Sequence, residues 1–460
     1  MLGAAAIAIT AAATPAAAQA SAVASHKATA DRIIDAALAD TTGFIRLAEL
    51  VDTHGHRLSG SASLETAIDW LAAKLKADGL DNVHTEPVMV PHWVRGAESA
   101  ELIQPRRMKL AMLGLGGSVG TPRGGITAPV VVLGSFDEMN RRAAELKGKI
   151  VLFDVPFTSY GETVQYRSRG PSAVAKLGAV AMLLRAVGPF SISSPHTGGL
   201  RYDTTVKKIP AAAITTEVSA MLRRLQARGL PVRVKLVMNA QMLADAPSRN
   251  VIAEVRGREK PDEVVVVGGH IDSWDVGQGA MDDGGGVVAA WEVLRLMKRL
   301  GITPRRTIRL VAWTNEENGL RGGIGYARAH ASELGKHVLA IESDGGVFTP
   351  AGFRIAASDS SMAIATEIAK LLARINAGTL IRGEDSPDAD ITPLVNAGIT
   401  GMGLDVGESK YFWYHHTDGD TIDKLSSREF TLCVATMAVM AYVAAELPEG
   451  MPRRVVPGAR

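Results

Sequence analysis

The stretch Val264-Val265-Val266-Val267-Gly268-Gly269-His270-Ile271-Asp272 decides the fold. Its unbroken apolar run is too short for a helix and describes a strand buried on both faces. Downstream, Val287, Val288, Trp291 and Leu294 recur at helical spacing, while Thr307 to Trp313 and Val338 to Ile341 supply further apolar runs. Such alternation predicts an α/β fold with a mostly parallel sheet and helices on both faces.

Working outward from that core, helical spacing also opens the chain, in Ile33, Ile34, Ala37 and Leu38, then in Ala67, Leu71 and Leu75, with Gly79 as a stop. Between roughly Lys109 and Asn239 the texture changes to short strand-like runs punctuated by Gly and Pro. Val130–Leu133, Ile150–Phe153, Ala181–Leu184 and Val232–Val237 are examples. The expected organisation is a signal peptide over 1–20, a first catalytic part over 28–108 and an inserted β-rich domain over 109–245. A second catalytic part over 246–446 then carries the metal site, ahead of a tail over 447–460.

The 460 residues carry 50 basic against 48 acidic side chains, a net charge of +2 that provides no field for steering a polyanion, so nucleic acid is not expected as a partner. Met1 to Ala20 is dominated by Ala and closes on Ala18-Gln19-Ala20, the small-x-small pattern of signal peptidase sites. Export to the periplasm or outside the cell is the expectation, and with Pro15 interrupting it the segment makes a poor membrane anchor. Cys433 is the single cysteine, so no disulfide can form within the chain.

In open α/β sheets, ligands bind beyond the carboxyl ends of the strands. Chemistry-bearing residues fall there repeatedly: His270 after the first run, Glu316-Glu317 after Thr307–Trp313, and Asp344 after Val338–Ile341. Asp282 lies in Gly279-Ala280-Met281-Asp282-Asp283-Gly284-Gly285-Gly286, just ahead of the Trp291 helix, and a further candidate lies within Tyr414-His415-His416-Thr417-Asp418-Gly419-Asp420-Thr421. Taken singly, each has an ordinary structural explanation, such as a helix cap or a solvated acidic pair. Together, imidazole and carboxylate donors without thiolate suit zinc, and five ligands are too many for one catalytic zinc with an open position. Two ions sharing Asp282 fit the count.

These motifs, with Gly269–Asp275, Thr314-Asn315-Glu316-Glu317, Glu342-Ser343-Asp344 and His415-His416-Thr417, resemble the M28 family of zinc peptidases. Pro91-His92-Trp93, Ser194–Gly198 and Tyr411-Phe412-Trp413 extend the likeness over nearly everything after the leader. The resemblance implies two zinc ions per chain, one held by His270 and Asp344, the other by Glu317 and His416, with Asp282 bridging. It places Glu316 as general base and Asp272 as the carboxylate that orients His270, and implies a cis Asp282–Asp283 peptide. The central stretch resembles a protease-associated domain overhanging the cleft. The implied activity is hydrolysis of short peptides, dipeptides with free termini, by metal-activated water in a homodimer. An aminopeptidase, a glutaminyl cyclase and a receptor without catalysis are the rival functions of the same scaffold. Specificity is the weakest transfer, because the acidic loop Gly383–Asp390 is longer than its counterpart in the relatives, with Asp390 matching their aspartate before the next helix.

Overall fold

The computed structural model describes residues 22–407 and 410–455. The expected leader over 1–20 and the last five residues of the tail lie outside the described residues.

Eight strands form the main sheet, in the order Asp81–Val90, Ala246–Val255, Arg306–Trp313, Lys260–His270, His337–Glu342, Gly401–Asp405, Gly352–Ala356 and Thr379–Arg382. Its centre is parallel, from Arg306–Trp313 through Lys260–His270 and His337–Glu342 to Gly401–Asp405. Its flanks contain antiparallel pairs, so the sheet is mixed rather than mostly parallel. One antiparallel pair has a clear cause: Asp81–Val90 leads into a second sheet and Ala246–Val255 returns from it. Val90 therefore faces Ala246 where the chain departs and re-enters.

Helices pack on the main sheet because their apolar stripes match its buried faces. Gly285–Arg299 carries Val287, Val288, Trp291 and Leu294 into the core, joined by Ile33, Ile34, Leu71 and Leu75 from the opening helices. Burying each such side chain contributes about 1.5–3 kcal/mol. Ser61 caps the helix Ala62–Ala77 by accepting the Leu64 N–H at 3.2 Å. Ser427–Glu446 is long and apolar enough to cross a membrane, yet it lies inside this core and buries Cys433.

The second eight-stranded sheet is built from residues 98–238. It starts earlier than residue 109, because Glu98–Gln104 pairs antiparallel with Arg233–Met238 instead of joining the main sheet. It is also less purely β than expected. Four of its strands, from Ile126–Leu133 to Ala211–Ile214, run parallel, and the helices Tyr160–Lys176 and Thr216–Ala227 accompany them. Gly161, Gly170 and Pro171 mask the first of these helices in the sequence, being poor interior helix formers.

Candidate metal centre

Parallel register brings three strand ends to one rim. His270 is opposite Trp313, whose strand turns into Glu316-Glu317, and Gly268 is opposite Glu342, two residues ahead of Asp344. Asp282 arrives from the loop before Gly285–Arg299, and His416 from the turn after Tyr411–Tyr414. The Asp282–Asp283 peptide is cis. Gly286 lets this loop sit against the strand ends, since a β-carbon there would strike the Ser343 carbonyl.

His270 Nε2 lies 3.2 Å from Asp282 Oδ1 and 3.2 Å from Asp344 Oδ1. His416 Nε2 lies 3.3 Å from Asp282 Oδ2 and 3.0 Å from Glu317 Oε2. The two carboxylate oxygens of Asp282 thus face two different histidines. His415, which was not assigned a role, stacks on His416 at 3.5 Å between ring centroids and places Nε2 3.8 Å from Asp282 Oδ2.

A shell of hydrogen bonds aims these groups. Glu317 Oε1 accepts the Trp274 N–H at 3.1 Å, leaving Oε2 for His416. His270 Nδ1 meets the backbone carbonyl of Asp272 at 3.0 Å, while its distance to the Asp272 carboxylate is 3.8 Å. That carboxylate accepts the N–H groups of Glu316 and Glu317 at 3.0 and 3.4 Å. Asp272 therefore organises both sides of the rim at once.

Asp283, Asp420 and Arg57 are supporting residues that the motifs alone did not single out. Asp283 accepts the His270 and Gly286 N–H groups at 3.0 and 2.9 Å, joining strand end to helix start. Asp420 accepts from Ala280, Met281 and Asp282, and burial pushes its carboxyl up to about 7. Arg57 carries no local signal because all its side-chain partners but the Gly55 carbonyl lie more than 200 positions away, at Ile271, Gln278 and Gly279. Asp420, by contrast, was visible in the histidine loop as an acid beside glycine.

The electrostatics are those of a site short of positive charge. Burial, with repulsion from neighbouring carboxylates, pushes Glu316 and Glu317 well above the usual range. Burial acts against charging His270, but Asp344 and Asp282 overcome it and raise it well above an ordinary histidine. Asp282 Oδ2 is buried without a hydrogen-bond partner. Two imidazoles and converging carboxylates, one with an unpartnered oxygen, fit zinc. His270, Asp282 and Asp344 could hold one ion, and Asp282, Glu317 and His416 a second.

The centre opens into a cleft of about 1180 Å³, lined from the main sheet by Glu316, Asp344 and Asp388 and from the second sheet by Tyr160 and Arg167. Within the acidic loop, Glu384 and Asp385 are exposed and Asp388 lines the cleft. Asp390 is buried, its N–H donating to Glu342 at 3.3 Å. The loop is neither wholly solvated nor wholly a pocket.

The sequence profile of peptidase family M28 matches residues 250–441. Carboxypeptidase Q of Xenopus laevis is 47% identical over 94% of this chain and 92% of its own length; that of Homo sapiens is 46% identical over 90% and 88%. A solved peptidase M28 precursor from Shewanella amazonensis superposes with a TM-score of 0.90 at 33% identity, covering 94% of this chain and 99% of its own. The chain belongs to peptidase family M28 and is a zinc metallopeptidase, a hydrolase of the exopeptidase kind. Within that family its likeness to carboxypeptidase Q runs over almost the full length of both chains.

Proposed function

We propose that this chain is a two-zinc exopeptidase cleaving short peptides, dipeptides with free termini among them. The observation that carries this is the position of Asp282, with Oδ1 and Oδ2 turned to His270 and His416 at 3.2 and 3.3 Å and Asp344 and Glu317 completing the two sets. When bound, zinc supplies Lewis acidity that polarises a scissile carbonyl and brings the pKa of water towards neutral.

The chain's own residues do the rest. Glu316 lines the cleft, and its backbone is held by the Asp272 carboxylate, so its side chain is positioned to accept a proton from attacking water and return it to the leaving amine. The Glu317 carboxylate is engaged by the Trp274 N–H and faces His416, which leaves Glu316 to the proton and Glu317 to the metal. His270 keeps its Nε2 inward because its Nδ1 is engaged by the Asp272 carbonyl, while the backbone of His416 is tied to the second-sheet side by its carbonyl accepting the Thr197 N–H at 2.9 Å.

Tyr160 and Arg167, from a helix that accompanies the second sheet, line the cleft beside this centre, and we assign the second sheet the role of a protease-associated domain. Export, a catalytic unit divided by the insert, and a homodimer belong to the same proposal; carboxypeptidase Q likeness and the leader composition support it. A panel of dipeptides, N-blocked peptides and aminoacyl anilides tests the substrate class on zinc-loaded enzyme. Dipeptide turnover with slow anilide cleavage is the expected outcome. Fast anilide cleavage without dipeptide turnover would make this chain an aminopeptidase.

A further inference from the structure

One wall of the cleft comes from the helix Tyr160–Lys176 and the segment 198–201, and it carries three arginines, Arg167, Arg169 and Arg201. Arg167 is only 6% exposed. It donates to the Thr197 carbonyl at 3.1 Å and to the Tyr160 hydroxyl at 2.6 Å, and its Nε–H is buried without a partner. A buried unpaired donor on a charged group is costly, and guanidinium N–H groups are geared to planar anions.

Arg167 is also close to the reaction centre. Gly198, at φ +127°, separates it from His416: a β-carbon there would collide with the guanidinium and lie 2.8 Å from His416 Nδ1. The side chains of Arg169 and Arg201 make no hydrogen bond or ion pair among the described residues, although both line the same cleft. The Arg201 N–H donates to the Ser168 carbonyl at 3.0 Å, which fixes the two segments side by side. On the main-sheet side the cleft presents Asp388, whose Oδ2 is buried without a partner.

We propose that Arg167, Arg169 and Arg201 form the subsite that holds the free α-carboxylate of a short peptide. A carboxylate is the planar two-oxygen anion that a guanidinium meets with two parallel hydrogen bonds. The carboxyl end of a bound peptide then lies against the second-sheet wall, where the three arginines line the cleft. The assignment rests on the exopeptidase function proposed above and adds which wall takes the carboxyl end.

The test is calorimetric titration of zinc-loaded full-length Glu316→Gln protein with a dipeptide and with its C-terminal amide. The acid is expected to bind about tenfold tighter than the amide. Replacing Arg169→Ala and Arg201→Ala together abolishes that preference, and Arg169→Lys with Arg201→Lys restores part of it. Equal affinity for acid and amide, or a preference untouched by the double alanine substitution, overturns the subsite, even where the wild-type enzyme hydrolyses both peptides. If the preference exists and disappears in the variant while wild-type enzyme cleaves neither peptide, the subsite stands and the exopeptidase function falls.

Discussion

Arg57 and Asp420 grip the metal loop from its two polar sides. Arg57 donates to the carbonyls of Gln278 and Gly279 at 2.7 and 2.8 Å, while Asp420 accepts the N–H groups of Ala280 and Met281 at 3.1 and 2.7 Å. Carbonyls on one stretch and amides on the next are satisfied by a buried cation and a buried acid. Asp282 is thereby aimed without contributing its own carboxylate to the scaffold.

Weakening this grip is expected to show in metal retention before it shows in chemistry. Asp420→Asn or Arg57→Lys is expected to lower zinc affinity by about ten- to a hundredfold, as other partners of metal ligands do. Competition against a fluorescent chelator measures this directly. Unchanged affinity in both variants would reduce the pair to ordinary core polar groups.

Glu316→Gln keeps the shape and the zinc but removes the proton acceptor. Turnover is expected to fall about 10²- to 10⁴-fold, with zinc content by elemental analysis unchanged. His270→Ala and Asp344→Ala are expected to lose zinc as well as turnover. Full activity in Glu316→Gln would remove that residue from the proton path.

Phenanthroline is expected to abolish hydrolysis and zinc to restore it. The same treatment should lower the melting temperature, because a ligand at about a thousandfold above its Kd stabilises the fold by about 4 kcal/mol. Melting curves with and without chelator provide the check, independent of any substrate.

His337 makes stability sensitive to acid away from the metal. Burial pushes its imidazole down to about 4 from an ordinary 6.5, with Nε2 2.8 Å from the Tyr326 hydroxyl and Nδ1 3.1 Å from the Glu333 carbonyl. Its folded value lies below its unfolded one, so its neutral form contributes stability that is full above pH 6.5 and is lost as pH falls towards 4. Urea unfolding of metal-free protein across that window should steepen with acidity, and His337→Gln should flatten the slope. Identical slopes in the two proteins would exclude His337 as the source.

The candidate centre was legible because its members sit next to strong local signals. His270 follows a five-residue apolar run, Glu316-Glu317 and Asp344 follow two more, and Asp282 lies among glycines. Strand ends are readable from periodicity, and parallel strands place their carboxyl ends on one rim. The antiparallel flanks were not legible, since hydrophobicity along a buried strand says nothing about its direction. The helix Tyr160–Lys176 was hidden by its own Gly and Pro residues, which the surrounding packing overrides.

By itself, then, the sequence determined the donor chemistry, the alternation that builds the central sheet and the family to which the chain belongs. Tertiary structure alone decided that Asp282 turns one oxygen to each histidine, that Arg57 reaches across more than 200 positions to hold the loop, and that Arg167 faces the cleft beside His416. The division has a physical cause. Local pattern reports how each segment buries its own apolar surface, whereas the direction of a polar side chain depends on partners that only the folded chain brings within hydrogen-bond reach.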